Sequence, residues 1–150
     1  MTKNMCLKIQ FGTKQLKWAE VTKLIKGEPS SFLEIHDIEQ EYGKTKTAFE
    51  NSFIVCSLYL EKELIGICRA LSDGVKQSVV YDLNVSKPRQ NKGYGSMLMN
   101  EILSKLPDGP VILYSMPGKE KYYKKFGFHM LRTGMGKFPN VERRIQRGFI

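Results

Sequence analysis

Hydrophobic residues follow two different spacings in the first half of the chain. A short apolar run at residues 7–11 predicts a strand, and apolar residues at helical spacing predict a helix over residues 16–25. A second helix is predicted over residues 37–51, although its middle is polar and contains Gly43. The first helix is expected to end at Gly27, because glycine is common directly after a helix. Three β-rich runs then predict strands over residues 53–60, 64–71 and 77–85. Because short polar turns join them, they are expected to form an antiparallel meander.

Strand and helix patterns alternate after residue 85. A helix is predicted over residues 96–106 and should end at Pro107, which cannot continue it. A strand at residues 111–114, a short helix at 118–125 capped by Gly127, and a final strand after that glycine follow. A strand, a helix and a second strand in this order normally form a right-handed unit with parallel strands. The pattern therefore predicts the α+β class with a mixed sheet.

Composition indicates one globular domain. The chain has 150 residues, 41% hydrophobic and 26% charged, with no internal repeat or linker, so a single domain over residues 1–150 is expected. Its longest apolar runs fall short of the ~20 residues that a membrane span needs, and its N-terminus does not resemble a signal peptide. Cys6, Cys56 and Cys68 are odd in number and lack C-x-x-C spacing. We therefore expect a cytoplasmic protein with reduced thiols, no bound metal and no membrane partner.

The formal net charge of +9 calls for an anionic partner or a strongly solvated surface. Nucleic acid, an anionic membrane face or an anionic cofactor would each fit the charge. Nucleic acid is not favoured, because the basic residues form no unbroken block and the clearest helix carries Glu101 beside a broad apolar face. The sequence leaves open whether the protein is a monomer or a homodimer.

Gly93 and Gly95 lie directly between an apolar strand and a periodic helix. The first N–H groups of a helix lack partners and its N-terminal end is positive, which together favour phosphate binding. Glycine has no Cβ to hold a phosphate away from the backbone. Lys87, Arg89 and Lys92 add positive charge around this turn. Neither G-x-x-x-x-G-K-[ST] nor G-x-G-x-x-G is present, so the two best-known nucleotide loops are excluded.

The run QNKGYG at residues 90–95 resembles the Q/R-x-x-G-x-G/A signature of the GNAT N-acetyltransferase superfamily. The similarity extends upstream to LNV at residues 83–85 and downstream to YYKKFGF at residues 122–128, and covers residues 79–130 in all. It implies a mixed, mostly antiparallel sheet of about six or seven strands flanked by about four helices, with acetyl-CoA as co-substrate. The positions that would bind acetyl-CoA are Leu83, Asn84, Val85, Gln90, Asn91, Lys92, Gly93, Tyr94, Gly95 and Ser96.

The resemblance also implies a mechanism in which an amine attacks the thioester directly, with no covalent acyl-enzyme. A backbone N–H on the strand of Leu83 and Val85 would polarise the thioester carbonyl. Tyr123 matches the family's acid for the leaving thiolate, with Tyr122 as the neighbouring alternative. Asp82 is the candidate base or ammonium-binding group, on the same strand face as Asn84 if the alternation is regular, unless it is only a surface carboxylate.

Specificity is not encoded in a motif. The resemblance implies that residues 132–138 close the acceptor cleft, and Ser115 stands where the family often has an asparagine. A cationic primary amine recognised through Asp82 is expected, with an acceptor that carries its own anionic group as the rival. Lys119, Lys121 or Arg132 would attract that rival. The alternative to an N-acetyltransferase of small molecules or peptides is a CoA-binding sensor or partner module without turnover.

Overall fold

The computed structural model describes residues 5–27 and 35–150, with side chains from residue 38 in the second range. Five strands form one sheet in chain order: β1 (Leu7–Phe11), β2 (Ile54–Leu60), β3 (Glu63–Ser72), β4 (Ser78–Val85) and β5 (Val111–Ile112). The first four strands pair antiparallel, whereas β4 and β5 are parallel. The predicted α+β class and mixed sheet are therefore confirmed.

The described residues also form five α-helices and one turn of 3-10 helix at Lys87–Arg89. The helices are α1 (Trp18–Lys26), α2 (Ile35–Glu50), α3 (Tyr94–Lys105), α4 (Glu120–Lys124) and α5 (Val141–Gln146). The predicted cap at Gly27 is confirmed, since this residue follows α1 with a left-handed φ of 86°. No helix within these ranges combines the length and apolar character needed to cross a bilayer.

The prediction of about six or seven strands and about four helices is not confirmed, because the described residues form five of each. The predicted strand at residues 111–114 is reduced to two paired residues. No strand follows Gly127 in the described chain, where Gly134, Gly136 and Pro139 interrupt the segment. These residue types are depleted in strands. A fifth helix, α5, occurs there instead; it is capped by Asn140, whose side chain accepts a hydrogen bond from the N–H of Arg143 at 2.9 Å.

Helices cover both faces of the sheet. α1 and α2 pack on one face through a buried cluster: Leu16, Val21, Phe49, Val55, Leu64 and Ile67. α3 packs on the other face, where a Cβ on Gly66 would lie 2.8 Å from Cδ1 of Leu98. Gly66 and Ile67 are consecutive in β3 and therefore point to opposite faces. The core of this part of the chain thus has two layers of side chains, one on each side of the sheet.

β4 contains a bulge at Asp82 and Leu83. Arg69 of β3 lies opposite Tyr81, and Ile67 lies opposite Asn84, so two residues of β4 face the single residue between them on β3. Asp82 has a left-handed φ of 53°, which only glycine, asparagine and aspartate adopt with any frequency. Because opposite residues of paired strands share a face, Tyr81 and Asn84 lie on the same face. The prediction of regular alternation through Asp82 is therefore wrong.

The chain divides into two compact units, Met1–Ile112 and Leu113–Ile150. The second unit contains α4 and α5, and its aromatic side chains contact one another and nearby cations. The rings of Tyr122 and Tyr123 lie 5.1 Å apart, and the guanidinium of Arg144 lies 4.7 Å from the ring centre of Phe138. The single domain over residues 1–150 stays a prediction.

Candidate functional site

The turn between β4 and α3 depends on Gly93. This residue directly precedes α3 with φ 84° and ψ 0°, a left-handed conformation that side chains other than hydrogen disfavour. A Cβ built on Gly93 would have no atom within 4 Å. The backbone conformation therefore favours glycine, while the space beside it is open to a ligand. Asn91 is also left-handed, with φ 60°, so the chain reverses sharply just before the helix.

The first turn of α3 presents backbone donors at this open space. The first hydrogen bond of the helix runs from the N–H of Met97 to the carbonyl of Gly93 at 3.0 Å, and no side chain caps the helix at Gly93. The N–H groups of Tyr94 and Gly95 precede that bond and have no acceptor within the helix. Together with the helix dipole, such groups favour an anion at this position.

The side chains of the turn differ in what they contact. Gln90 donates from Nε2 to the carbonyl of Val85 at 2.9 Å, which fastens the turn to the end of β4. Arg89 donates to Glu63 at 3.2 Å, so its charge is shared with a carboxylate. Lys87 and Lys92 are exposed and carry positive charge at the surface of the turn. The predicted positive surroundings of the glycine turn therefore come mainly from these two lysines.

The outer edge of β4 is covered by β5 at only two positions, Ser78 and Val79. Beyond Val79, no strand of the described residues pairs with this edge. The N–H of Ser86 bonds to Ile65 on the β3 side at 2.8 Å. Because backbone groups alternate between the two edges of a strand, those of Leu83 and Val85 face the outer edge. Val85 gives its carbonyl to Gln90, which leaves Leu83 at the centre of the open segment.

Asn84 differs from its two neighbours among the predicted binding residues. It lies opposite Ile67 and turns its backbone groups toward β3, as Ser86 does. Any contact from Asn84 to a ligand on the outer edge would therefore involve its side chain.

Asp82 is joined to a cation. Its Oδ2 accepts a hydrogen bond from Nε of Arg69 at 2.6 Å, and the two side chains are 29% and 14% exposed. Arg69 was not predicted from the sequence as a site residue. The signal that could have found it is a lone basic residue within the apolar run of β3, one strand away from a lone acidic residue in β4. The ion pair weighs against a role for Asp82 in binding a cationic acceptor, because Arg69 already compensates its charge.

The two candidate acids lie on α4 in the second unit and have different surroundings. The ring of Tyr123 contacts that of Phe128, with centroids 6.2 Å apart. The ring of Tyr122 contacts Phe126 at 5.5 Å and lies 4.2 Å from Nζ of Lys125. Both tyrosines are half-buried. The two rings contact each other, and each also contacts a different phenylalanine.

Cys56 and Cys68 lie directly opposite each other in β2 and β3, buried and not bonded together. Burial raises the pKa of Cys56 to about 12, and it also raises the pKa of the Cys68 thiol. Both therefore stay protonated at neutral pH, and a protonated thiol is a poor nucleophile and a poor metal ligand. No group of three or more His, Cys, Asp or Glu side chains suited to a metal ion was found within the described ranges.

Comparisons with known proteins agree on one family. The model described as "Acetyltransferase (GNAT) family" matches residues 18–128. An uncharacterized N-acetyltransferase, ycf52, from Gracilaria tenuistipitata var. liui is 31% identical over 116 residues, which cover 66% of this chain and 64% of that protein. In the ycf52 proteins of Pyropia yezoensis and Porphyra purpurea the matched part is 56% of the length. The match thus spans less than two thirds of these relatives.

Solved structures agree on the fold. A probable acetyltransferase of unknown function from meticillin-resistant Staphylococcus aureus has a TM-score of 0.71 at 21% identity, covering 90% of this chain and 99% of that one. A putative GNAT-family acetyltransferase from Xanthomonas campestris pv. campestris has a TM-score of 0.73 at 14% identity, covering 89% and 93%. At such identities the likeness concerns the fold alone.

Proposed function

The chain belongs to the acetyltransferase (GNAT) family, and we propose that it is an N-acetyltransferase that moves an acetyl group from acetyl-CoA to an amine. One observation supports this most. The uncovered edge of β4 at Leu83 is followed ten residues later by the open helix N-terminus at Gly93. An extended ligand with amide groups at one end and a pyrophosphate at the other fits this sequence of features.

Different residues bind different parts of acetyl-CoA. The N–H groups at the start of α3 bind the pyrophosphate, with Lys87 and Lys92 adding charge. The backbone of Leu83 pairs with the pantetheine amides as a neighbouring strand would. Acetyl-CoA supplies an acyl group that is already activated as a thioester. A backbone N–H of the same edge donates to its carbonyl oxygen, where negative charge develops when the amine attacks.

Two proton transfers accompany the attack. An alkylamine with a pKa of about 10 is mostly protonated at neutral pH and must lose a proton first. Because Asp82 is ion-paired with Arg69, we do not assign it as the base. The proton of the amine passes to solvent instead, and the rate should rise with pH as more neutral amine is present. Tyr123 then donates its hydroxyl proton to the departing thiolate. Neither buried cysteine takes part, since both thiols are protonated at neutral pH.

The proposed acceptor is a small amine, or a peptide, that also carries an anionic group. The second unit has nine basic and two acidic residues, so it holds +7 of the net charge of +9. This field attracts anions and repels cationic amines. Because Cys56 and Cys68 are adjacent yet unbonded, we also propose a reducing compartment, the cytoplasm.

Calorimetry and an acceptor panel test this function. The wild-type protein is titrated with acetyl-CoA, and free thiol release is then measured with matched anionic, neutral and cationic amines. We expect saturable acetyl-CoA binding and the highest kcat/KM among the anionic amines. Binding without thiol release for any amine would favour the sensor. A preference for cationic amines would restore the Asp82 hypothesis, and absence of binding would overturn the proposal.

A further inference from the structure

Arg69 is a nearly buried cation within the sheet, and its contacts join two elements. Nε donates to Asp82 in β4, and Nη1 lies 3.4 Å from both the carbonyl of Ala48 and Oγ of Ser52 at the end of α2. The guanidinium also lies 5.3 Å from the ring centre of Phe49 and 5.1 Å from that of Tyr81. Its plane is thus held by two rings and three polar groups. Such a site is specific for arginine, because lysine has neither the planar group nor the fork of donors.

Asp82, the residue that Arg69 contacts, departs from regular strand geometry. Asp82 is left-handed and occupies the extra position of the β4 bulge. Left-handed φ is less unfavourable for aspartate than for most residues, but it is rare inside a strand and still costs energy that the surroundings must offset. The ion pair to Arg69 is the described contact that ties the Asp82 side chain to the body of the first unit. Asp82 is therefore held in this conformation by a cation that α2 and two rings keep in place.

The bulge decides which way the backbone of Leu83 points. In a regular ladder continuing from the pair Arg69 and Tyr81, Leu83 would lie opposite Ile67 and bond to it. The extra residue moves Asn84 into that position instead. The N–H and carbonyl of Leu83 are thereby turned to the outer edge, where β5 does not reach. Without the bulge, this edge would present a different set of backbone groups.

We propose that Arg69 and Asp82 are positioning residues, whose ion pair locks the β4 bulge and so aims the Leu83 backbone at the thioester arm of acetyl-CoA. This assignment rests on the proposed acetyl transfer and gives Asp82 a conformational role in place of proton transfer. The carboxylate acts through the backbone beside it. The pyrophosphate is held separately at Gly93, so binding and rate should respond differently to a change at Arg69.

Three substitutions at Asp82 distinguish a conformational role of this residue from a role in proton transfer. Asp82→Gly removes the carboxylate but adopts a left-handed φ without strain, and Asp82→Asn tolerates that φ. Asp82→Ala lacks the carboxylate and disfavours the φ. We expect Asp82→Ala to lower kcat by up to about 10²-fold, the usual cost of a small misplacement. Asp82→Gly and Asp82→Asn should retain most of the activity, and acetyl-CoA affinity should change little in all three.

A double-mutant cycle tests the role of Arg69, the ion-pair partner of Asp82. Arg69→Gln should lower kcat in the wild-type background and have little further effect when Asp82 is glycine, because the two residues act as one unit. Lys17→Gln is the matched control, since it removes an exposed ion pair with Glu20. The midpoint of thermal unfolding is measured for each variant, to separate loss of positioning from loss of folding. Arg69→Lys, which keeps the positive charge, is measured for the same purpose. Amide hydrogen exchange at Asn84, whose N–H is turned toward β3, should accelerate in Arg69→Gln and stay unchanged in Lys17→Gln.

The outcomes are distinguishable. If Asp82→Gly is as inactive as Asp82→Ala, the carboxylate itself takes part and the positioning role is overturned. If Arg69→Gln changes neither kcat nor amide exchange, the lock is overturned while the acetyltransferase stands. A wild type that binds no acetyl-CoA overturns the proposed function and with it the link to the thioester. The lock itself is then decided by amide exchange alone.

Discussion

The two compact units of the chain are stabilised in different ways. Every buried hydrophobic side chain of the described residues lies between Leu16 and Ile102, in the first unit, whose sequence carries fifteen basic and thirteen acidic residues. No side chain of residues 113–150, all of which are described, is buried. The contacts of this second unit are between rings and cations. For example, the guanidinium groups of Arg144 and Arg147 lie 4.8 and 5.4 Å from the ring centre of Phe149. The first unit is thus held by a core, and the second by surface contacts.

This difference matches a division of chemical tasks. A backbone that must present N–H groups at fixed positions benefits from a packed core, because close packing limits small displacements. The glycine turn and the edge of β4 lie in that part of the molecule. The proposed acid and the positive field for the acceptor belong to the second unit. Exposed charges and rings can vary with little cost to stability, so acceptor specificity is expected to reside there.

The largest expected effect is on stability, from removing a core ring. Phe49 is 1% exposed and packs against Trp18. Phe49→Ala should lower the free energy of unfolding by about 3–5 kcal/mol, through lost burial and the cavity left behind. The matched change in the second unit, Phe149→Ala, should cost about 1–2 kcal/mol, since it loses only a ring pair and exposed cation–π contacts. Urea titration followed by fluorescence of Trp18 and by circular dichroism measures both, and equal losses would contradict the contrast between the units.

The next effect concerns the proposed acid in the second unit. Tyr123→Phe removes one hydroxyl and should lower kcat by about 10²-fold, the lower end for a general acid, with the KM for acetyl-CoA nearly unchanged. Tyr122→Phe is the matched control on the same helix and should be nearly neutral. Steady-state kinetics on both variants provide the measurement. The opposite pattern would assign the acid to Tyr122.

A similar loss, in affinity instead of rate, is expected at the glycine turn of the first unit. Gly93→Val fills the open space with a branched side chain and should weaken acetyl-CoA binding by about 10²-fold, comparable to losing one or two charge-assisted hydrogen bonds. Gly12→Val is the matched control, because Gly12 has φ 85° and no atom within 4 Å of a built Cβ. Calorimetry compares the two variants. Equal affinity losses would mean that backbone strain, and not ligand contact, explains the result.

The smallest effects are expected from single charges of the second unit. Lys121→Gln or Arg132→Gln should raise the KM of an anionic acceptor by about 1.4- to 5-fold, equivalent to the 0.2–1 kcal/mol of an exposed charge pair. Lys14→Gln, an exposed residue of the first unit, should leave that KM unchanged. The effect should fade as salt shortens the screening length from about 10 Å at 0.1 M to about 3 Å at 1 M. A KM that is independent of both salt and these residues would argue against the anionic acceptor.

Most elements of the first unit could be predicted from local patterns. The strand Leu7–Phe11 has its predicted bounds, and α3 begins two residues before the prediction, at Tyr94. These elements have strong periodicity and clear stop signals, so neighbouring residues along the chain carry the information. The second unit was predicted less well. Its α5 depends on the cap at Asn140, and its expected final strand is absent from the described residues after Gly127.

The candidate site divides in the same way. The glycine turn could be identified from local sequence, because a left-handed residue before a helix favours glycine and Gly93 and Gly95 are close along the chain. Tertiary structure alone decided the geometry around Asp82. Its bulge and its bond to Arg69 depend on the register between two strands, which joins residues thirteen positions apart. Alternation along one strand carries no record of an extra residue in the pairing, since a bulge arises only when two strands meet.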